Sequence, residues 1–282
     1  MNRLNRIVNH RPHDFNTPRV LAIASGKGGV GKSVISLNLA DHLAKQAQVL
    51  LIDADFQMGN LHLLANAIPG KSWQDICNGQ AEPKEAIIEL NHNLHLLPSG
   101  SEITERYIPD LQSLAKFLGS LRETFGQYEY IVFDTASGIL PQTTLILHSV
   151  DEIVLVVIPE LTAISDGYAL YKALINNNNR LSISLLINRQ DISQETEYIH
   201  DKFSDLTNRF LNHTPEPLGS LGTDQNLVEA IACQKMISEY APQSGINSQF
   251  SNLAKRFSGV GETANFAAEM INTTALRADT KE

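Results

Sequence analysis

Residues 19–33 read Arg-Val-Leu-Ala-Ile-Ala-Ser-Gly-Lys-Gly-Gly-Val-Gly-Lys-Ser. An apolar run, Val20–Ser25, enters a glycine loop, and a helical stretch leaves it at Val34. Gly26, Lys27, Gly28, Gly29, Val30, Gly31, Lys32 and Ser33 fill the pattern G-x-x-x-x-G-K-[ST]. With average residue usage, a chance match in a chain of this length is on the order of one in a hundred. The chemistry explains the pattern. Glycines let backbone N–H groups turn inward around phosphate oxygens with no Cβ in the way. The helix that follows adds the positive end of its dipole. Lys32 is placed to reach the β- and γ-phosphates of a nucleotide, and the Ser33 hydroxyl to ligate Mg²⁺. The alternative, a glycine-rich turn with no ligand, leaves two lysines crowded together without an anion.

Outward from this loop, short apolar runs alternate with helical stretches. The expected strands are Val20–Ser25, Val49–Asp53, Leu94–Leu97, Tyr130–Asp134, Glu152–Val157, Ile183–Ile187 and Leu218–Ser220. Several are apolar at nearly every position, as strands covered on both faces are. Helices are expected over Lys32–Gln46, Pro109–Thr124 and Gln194–Leu211, and Asn176–Asn179 reads as a helix end and turn. The alternation predicts an α/β fold, a mostly parallel sheet flanked by helices on both faces, as in P-loop NTPases. No linker divides the chain, so residues 18–258 read as one nucleotide-binding domain. Residues 1–17 read as a flexible arm and residues 259–282 as a weakly helical tail.

Composition narrows the classes. Of 282 residues, 43% are hydrophobic and 19% charged, enough apolar matter for a core. The net charge of −9 argues against a general nucleic-acid binder. Two cysteines, Cys77 and Cys233, form no metal or disulfide pattern and fit a reducing compartment. No apolar run is long enough to span a bilayer, and the first residues lack the apolar stretch of a secretory signal. The cytoplasm is the expected compartment.

Two further strand ends carry carboxylates. The second ends in Asp53-Ala54-Asp55, and a later one, Tyr130–Asp134, in Asp134. Ligands of open α/β sheets bind at this edge. A carboxylate there can hold Mg²⁺ through water or orient an attacking water. The plainer alternative is a solvated strand end or helix cap.

The second lysine of K-G-G-V-G-K-S, Lys27, makes the loop resemble the deviant Walker A motif of the MinD/ParA class of ATPases. That resemblance implies an ATP- and Mg²⁺-dependent homodimer in which Lys27 crosses to the partner's nucleotide. Asp53-Ala54-Asp55 with Asn60 resembles the class's first switch, D-A-D-x-G-x-x-N. It implies that Asp55 orients the water and Asp53 lies near the metal, with Ser33 and Asp134. Gln57 stands where the class has glycine, a strained substitution if the position has positive φ. Asp134-Thr135-Ala136-Ser137-Gly138-Ile139 resembles the second switch, D-T-A-A-G-I. By the same resemblance Asn188, with Arg189 beside it, contacts adenine, and Thr223 and Asp224 line the base.

Residues 159–174, P-E-L-T-A-I-S-D-G-Y-A-L-Y-K-A-L, closely resemble the flagellar-number regulators FlhG and FleN. That branch implies a slow ATPase switch controlling the number or placement of flagella. It implies as partners the flagellar GTPase FlhF or a transcriptional regulator, and peripheral attachment at the inner face of the cell membrane. The branch's N-terminal D-Q-A-x-x-L-R motif is absent; only Leu4 and Ile7 resemble its apolar edge. Ile246, Phe250, Leu253 and Phe257 form one helical stripe, readable as core or as an interfacial anchor. The tail lacks a basic amphipathic helix, and Phe266, Met270 and Ile271 are a weak apolar cluster. Three other readings are set against the flagellar switch: a nucleotide-gated scaffold that hardly hydrolyses ATP, a DNA-partition ATPase, and a redox protein of the nitrogenase-iron-protein type. The last needs a cysteine in the second switch, where Thr135-Ala136-Ser137-Gly138 has none.

Overall fold

The computed structural model describes residues 17–100, 108–190 and 193–258. Eight strands form one sheet: β1 (Arg19–Ala24), β2 (Val49–Ala54), β3 (Ile88–Asn91), β4 (Leu94–Leu97), β5 (Tyr130–Thr135), β6 (Glu152–Val157), β7 (Ile183–Gln190) and β8 (Glu216–Gly222). Their order across the sheet is β3-β4-β2-β5-β1-β6-β7-β8, and every pairing is parallel except β3 with β4. The helices are α1 (Lys32–Ala44), α2 (Leu61–Leu64), α3 (Trp73–Cys77), α4 (Leu111–Thr124), α5 (Pro141–Leu147), α6 (Leu161–Asn177), α7 (Ser193–Leu211), α8 (Gln225–Ala232), α9 (Ile237–Tyr240) and α10 (Gly245–Ser258).

The period of two along each strand divides the core into two layers. Leu21 and Ile23 of β1 pack on the face covered by α1 and α10; Val20, Ala22 and Ala24 pack on the face covered by α4, α6 and α7. Both faces are dry, which is why the strands read as unbroken apolar runs. β1 lies between β5 and β6, so the loop that leaves it opens at the carboxyl edge beside the loops of its neighbours. The arm expected over residues 1–17 lies, apart from Thr17, outside the described residues, as does the tail over residues 259–282.

Strand β3 was not among the expected elements. It is a four-residue antiparallel edge strand whose half-buried and exposed residues alternate. The Asn91 side-chain amide oxygen accepts from the N–H groups of Asn93 and Leu94 and closes the hairpin turn. The expected helix over Pro109–Thr124 begins two residues later, because Asp110 is its N-cap and accepts from the N–H groups of Gln112 and Ser113.

The stripe on α10 is core. Ile246, Phe250, Leu253 and Phe257 are all buried. Phe250 stacks on His42 of α1, and the His42 ring also meets the Asn247 side chain. On the same side, Asn38 accepts from the Ile237 N–H and Asp41 from the Ser238 hydroxyl. The helix that follows the glycine loop is thus held by α9 and α10 through a polar seam inside an apolar layer. The stripe is spent on α1 and is not presented to a membrane. Phe250→Ala should destabilise the fold by about 3–5 kcal/mol, read by chemical denaturation. The stripe's core role also predicts that an exposed change beside it, Lys255→Ala, leaves vesicle co-sedimentation unaltered.

Candidate functional site

The glycine loop is shaped by its neighbours as much as by its own residues. Gly29 and Gly31 take positive φ, 77° and 96°, which only glycine adopts without strain. Ser25 donates its hydroxyl to the Lys27 carbonyl, and Asn188 donates its side-chain N–H to the Val30 carbonyl. A Cβ on Gly26 would stand 2.0 Å from the Asp166 carbonyl oxygen of α6. The loop is therefore seated directly on the α6 backbone. Gly28 faces the Ser137 hydroxyl across ordinary contact distance. Gly138, at φ 83°, donates its N–H to the Ser25 carbonyl and so ties the loop after β5 to the end of β1.

Gly31 is the N-cap of α1, a helix of 13 residues with no side-chain cap and no acidic residue in its first turn. The first-turn N–H groups, including those of Ser33 and Val34, have no side-chain acceptor, the arrangement that receives an anion. Lys32 is buried at the same place. Burial pulls its pKa down, and the carboxylates of Asp134 and Asp55 act against that shift.

The two strand-end carboxylates are register partners: Asp53 of β2 lies opposite Asp134 of β5. Both are buried. Burial drives the Asp53 pKa well above the usual carboxylate range, and the charge of Asp134 adds to the rise. Burial likewise lifts Asp134 to about 6, against the opposing effects of the Ser33 hydroxyl, Lys32 and the Ser36 hydroxyl. Ser36 donates to Asp134 Oδ1 at 3.0 Å. A cation is the natural remedy for two buried carboxylates side by side. Ser33, at the start of α1, and Asp134 supply oxygen donors suited to Mg²⁺. Asp53 points its oxygens elsewhere: they accept from the N–H groups of Asp55 and Leu61. It organises the first switch loop from within.

Asp55 is half-buried, and its Oδ1 accepts from the N–H groups of Gln57 and Met58. Gln57 does not take positive φ among the described residues, so the strain foreseen for it is not present. Glycine is demanded instead at Gly59, where a Cβ would stand 1.9 Å from Ser99 Oγ and 2.6 Å from Asp53 Oδ2. Asn60 is the N-cap residue of α2, without a side-chain cap. Phe56 lies edge-on to Trp73, their ring centroids 5.5 Å apart, which joins this loop to the core under α4.

At the far end of the edge, the remaining expected residues lie at or just beyond the ends of β7 and β8. Gln190 pairs with Gly222, so in this parallel pair Asn188 and Arg189 lie just before the last paired residues and Thr223 and Asp224 just after them. Arg189 is exposed at φ 56°, and Asp224 caps α8 by accepting from the Asn226 N–H.

Sequence reasoning did not single out Ser36, Glu160, Thr162 or Gly167. Ser36 is three residues beyond Ser33 on the same helix face, a local signal. The Lys27 ammonium meets Glu160 Oε2 at 2.6 Å and Thr162 Oγ1 at 3.0 Å, a contact 133 residues apart in the chain with no local signal. Gly167 brings α6 close to the sheet: a Cβ there would stand 2.7 Å from Val157 Cγ1.

Comparisons with known proteins agree with this geometry. A protein-family model described as an AAA domain matches residues 18–187. Over 261 residues the chain is 31% identical to the flagellum site-determining protein YlxH of Helicobacter pylori, covering 89% of this chain and 87% of that one. This chain belongs to the MinD/ParA class of P-loop ATPases. As a member of that class it is also 28% identical over 239 residues to the antiactivator FleN of Pseudomonas aeruginosa, covering 84% of this chain and 85% of that one. Among solved structures, the septum site-determining protein MinD of Pyrococcus horikoshii, complexed with Mg-ADP, matches with a TM-score of 0.73 and 25% identity over 85% of this chain and 96% of that one. The expected resemblance to the FlhG/FleN branch and the P-loop fold are both borne out. Among the described residues no helix is long and apolar enough to cross a membrane.

The raised pKa of Asp134 makes a stability prediction for this ATPase. A carboxyl whose folded pKa is raised favours the fold at low pH and loses that contribution as pH rises through about 6. Without nucleotide, Asp134→Asn should therefore become increasingly stable relative to wild type as pH rises. The full span is about 3 kcal/mol, of which roughly 1 kcal/mol falls between about pH 5 and pH 8. Urea denaturation at the two pH values checks this. The same variant should lose the stabilisation that magnesium nucleotide gives wild type.

Proposed function

We propose that this chain is an ATP-hydrolysing dimerisation switch with slow basal turnover, acting on the number or placement of bacterial flagella. The observation that carries this reading is the division of labour between the two loop lysines. Lys32 is buried at the start of α1, where a bound phosphate would lie, whereas Lys27 reaches outward to Glu160 and Thr162 at the open edge. A lysine of the phosphate loop that does not face its own site is suited to another chain's nucleotide. The flagellar part of the proposal is supported by the likeness to FleN and YlxH.

In this reading ATP lies along Gly26–Val34, its phosphates held by the loop N–H groups and by Lys32. Ser33 and Asp134 hold Mg²⁺, which neutralises phosphate charge, with Asp53 behind them. Asp55 orients the attacking water. Asn188, Arg189, Thr223 and Asp224 line the base. Positioning and charge neutralisation carry such a reaction, since the protein does little covalent chemistry. Loss of the γ-phosphate frees the loops after Asp55 and Asp134 and dissolves the dimer. The partner is a flagellar GTPase of the FlhF kind or a transcriptional regulator. The setting is the cytoplasm, with peripheral attachment at the inner membrane face.

One observation favours a second reading, a scaffold that binds ATP and hardly hydrolyses it. The Asp55 carboxylate is already engaged by two amides of its own loop. Light scattering of wild type and Lys27→Ala, with ADP and with ATP, separates the possibilities when phosphate release is recorded in the same samples. The switch predicts that wild type doubles in mass with ATP alone, while Lys27→Ala stays monomeric and loses about tenfold or more in phosphate release. An ATP dimer with no phosphate release selects the scaffold. A mass that ignores nucleotide rejects both.

A further inference from the structure

β5 and β6 lie on opposite sides of β1, so the glycine loop is flanked by α6, which follows β6, and by the loop that follows β5. The β5 flank touches it at three points. Gly138 donates its N–H to the Ser25 carbonyl at 2.9 Å. A Cβ on Gly138 would stand 3.9 Å from the Gly26 carbonyl oxygen, and one on Gly28 would stand 3.5 Å from Ser137 Oγ. The Ser137 hydroxyl therefore faces the exposed stretch of the loop at Gly28 and Gly29. It is half-buried and has no hydrogen bond among the described residues. The Gly138 bond to Ser25 pins the backbone beside it, so this open hydroxyl is held in place.

The sheet order says which end of a nucleotide the hydroxyl would meet. The expected base residues lie at the ends of β7 and β8, beyond β6, whereas β5 is on the other side of β1. In phosphoryl-transfer sites the metal bridges β- and γ-phosphate oxygens. A residue just beyond the metal-holding Asp134 and against the loop thus lies toward the terminal phosphate. We infer that the Ser137 hydroxyl donates a hydrogen bond to the γ-phosphate of bound ATP and supplies part of this chain's preference for ATP over ADP. This rests on the reading of Gly26–Val34 as the ATP site and adds a specificity residue to it. The pattern D-T-A-A-G-I that the second switch resembles has alanine here, so the contact belongs to this chain and not to the pattern. A hydrogen bond to a charged acceptor changes an affinity by about tenfold or more.

The test titrates ADP and the β,γ-imido analogue of ATP, each with Mg²⁺, into wild type, Ser137→Ala and Ser137→Cys by calorimetry. The series is repeated in the Lys27→Ala background, where association of two copies does not add to binding. Cysteine keeps the side chain's volume but is a weak donor. Both variants should bind the analogue about tenfold more weakly than wild type and ADP as wild type does, in either background. A defect in folding would weaken both nucleotides alike. An unchanged ratio of the two affinities overturns the inference, and so does a loss in Ser137→Ala that Ser137→Cys restores, because volume and not the hydroxyl would then matter. In either case the ATP site stands. A wild type that binds neither nucleotide overturns the ATP site and the inference with it.

Discussion

Two carboxylates buried side by side, Asp53 and Asp134, govern the organisation of the site. They are brought together by the register of β2 and β5, two apolar strands with no freedom to slip. In a dry edge of the sheet neither charge is comfortable, and every nearby feature answers that discomfort. Two loop amides are turned onto Asp53, and the Ser36 hydroxyl onto Asp134, with the buried Lys32 near it. Gly59 is required because the first switch loop must pass within contact of Asp53. A site built this way is unfavourable by itself, and a cation would relieve it.

The second constraint is close packing between the glycine loop and α6. Gly26 and Gly167 let the helix backbone approach the loop and the sheet where any side chain would collide. The helix start then lies beside Lys27, and its first residues become partners of that lysine. The stretch resembling the flagellar branch thus packs directly against the glycine loop. On the opposite face, the polar seam of Asn38, Asp41 and His42 ties α1 to α9 and α10, so the loop is fixed from both layers.

Much of this was legible in the sequence because the signals are local. The glycine loop, its flanking strand and helix, and Asp134 at a strand end are patterns within a dozen residues. What escaped was of two kinds. Strand β3 is short, half-exposed and at the edge, and only the Asn91-His92-Asn93 turn announced it. The Lys27–Glu160 contact, the loop-supporting bond from Asn188 and the reason for Gly59 all depend on residues far apart in the chain, which no spacing rule connects. The α10 stripe illustrates the same limit. Its period predicted an apolar face, and only the packing against α1 and β8 decided between core and membrane.

The most direct measurement is a crystal structure of the Asp55→Asn chain, chosen to slow hydrolysis, with Mg-ATP. The account predicts two copies face to face across the carboxyl edge of the sheet, Lys27 of each on the other's phosphates, and Glu160 released. ATP bound to a single copy, with Lys27 still on Glu160 and Thr162, would contradict it.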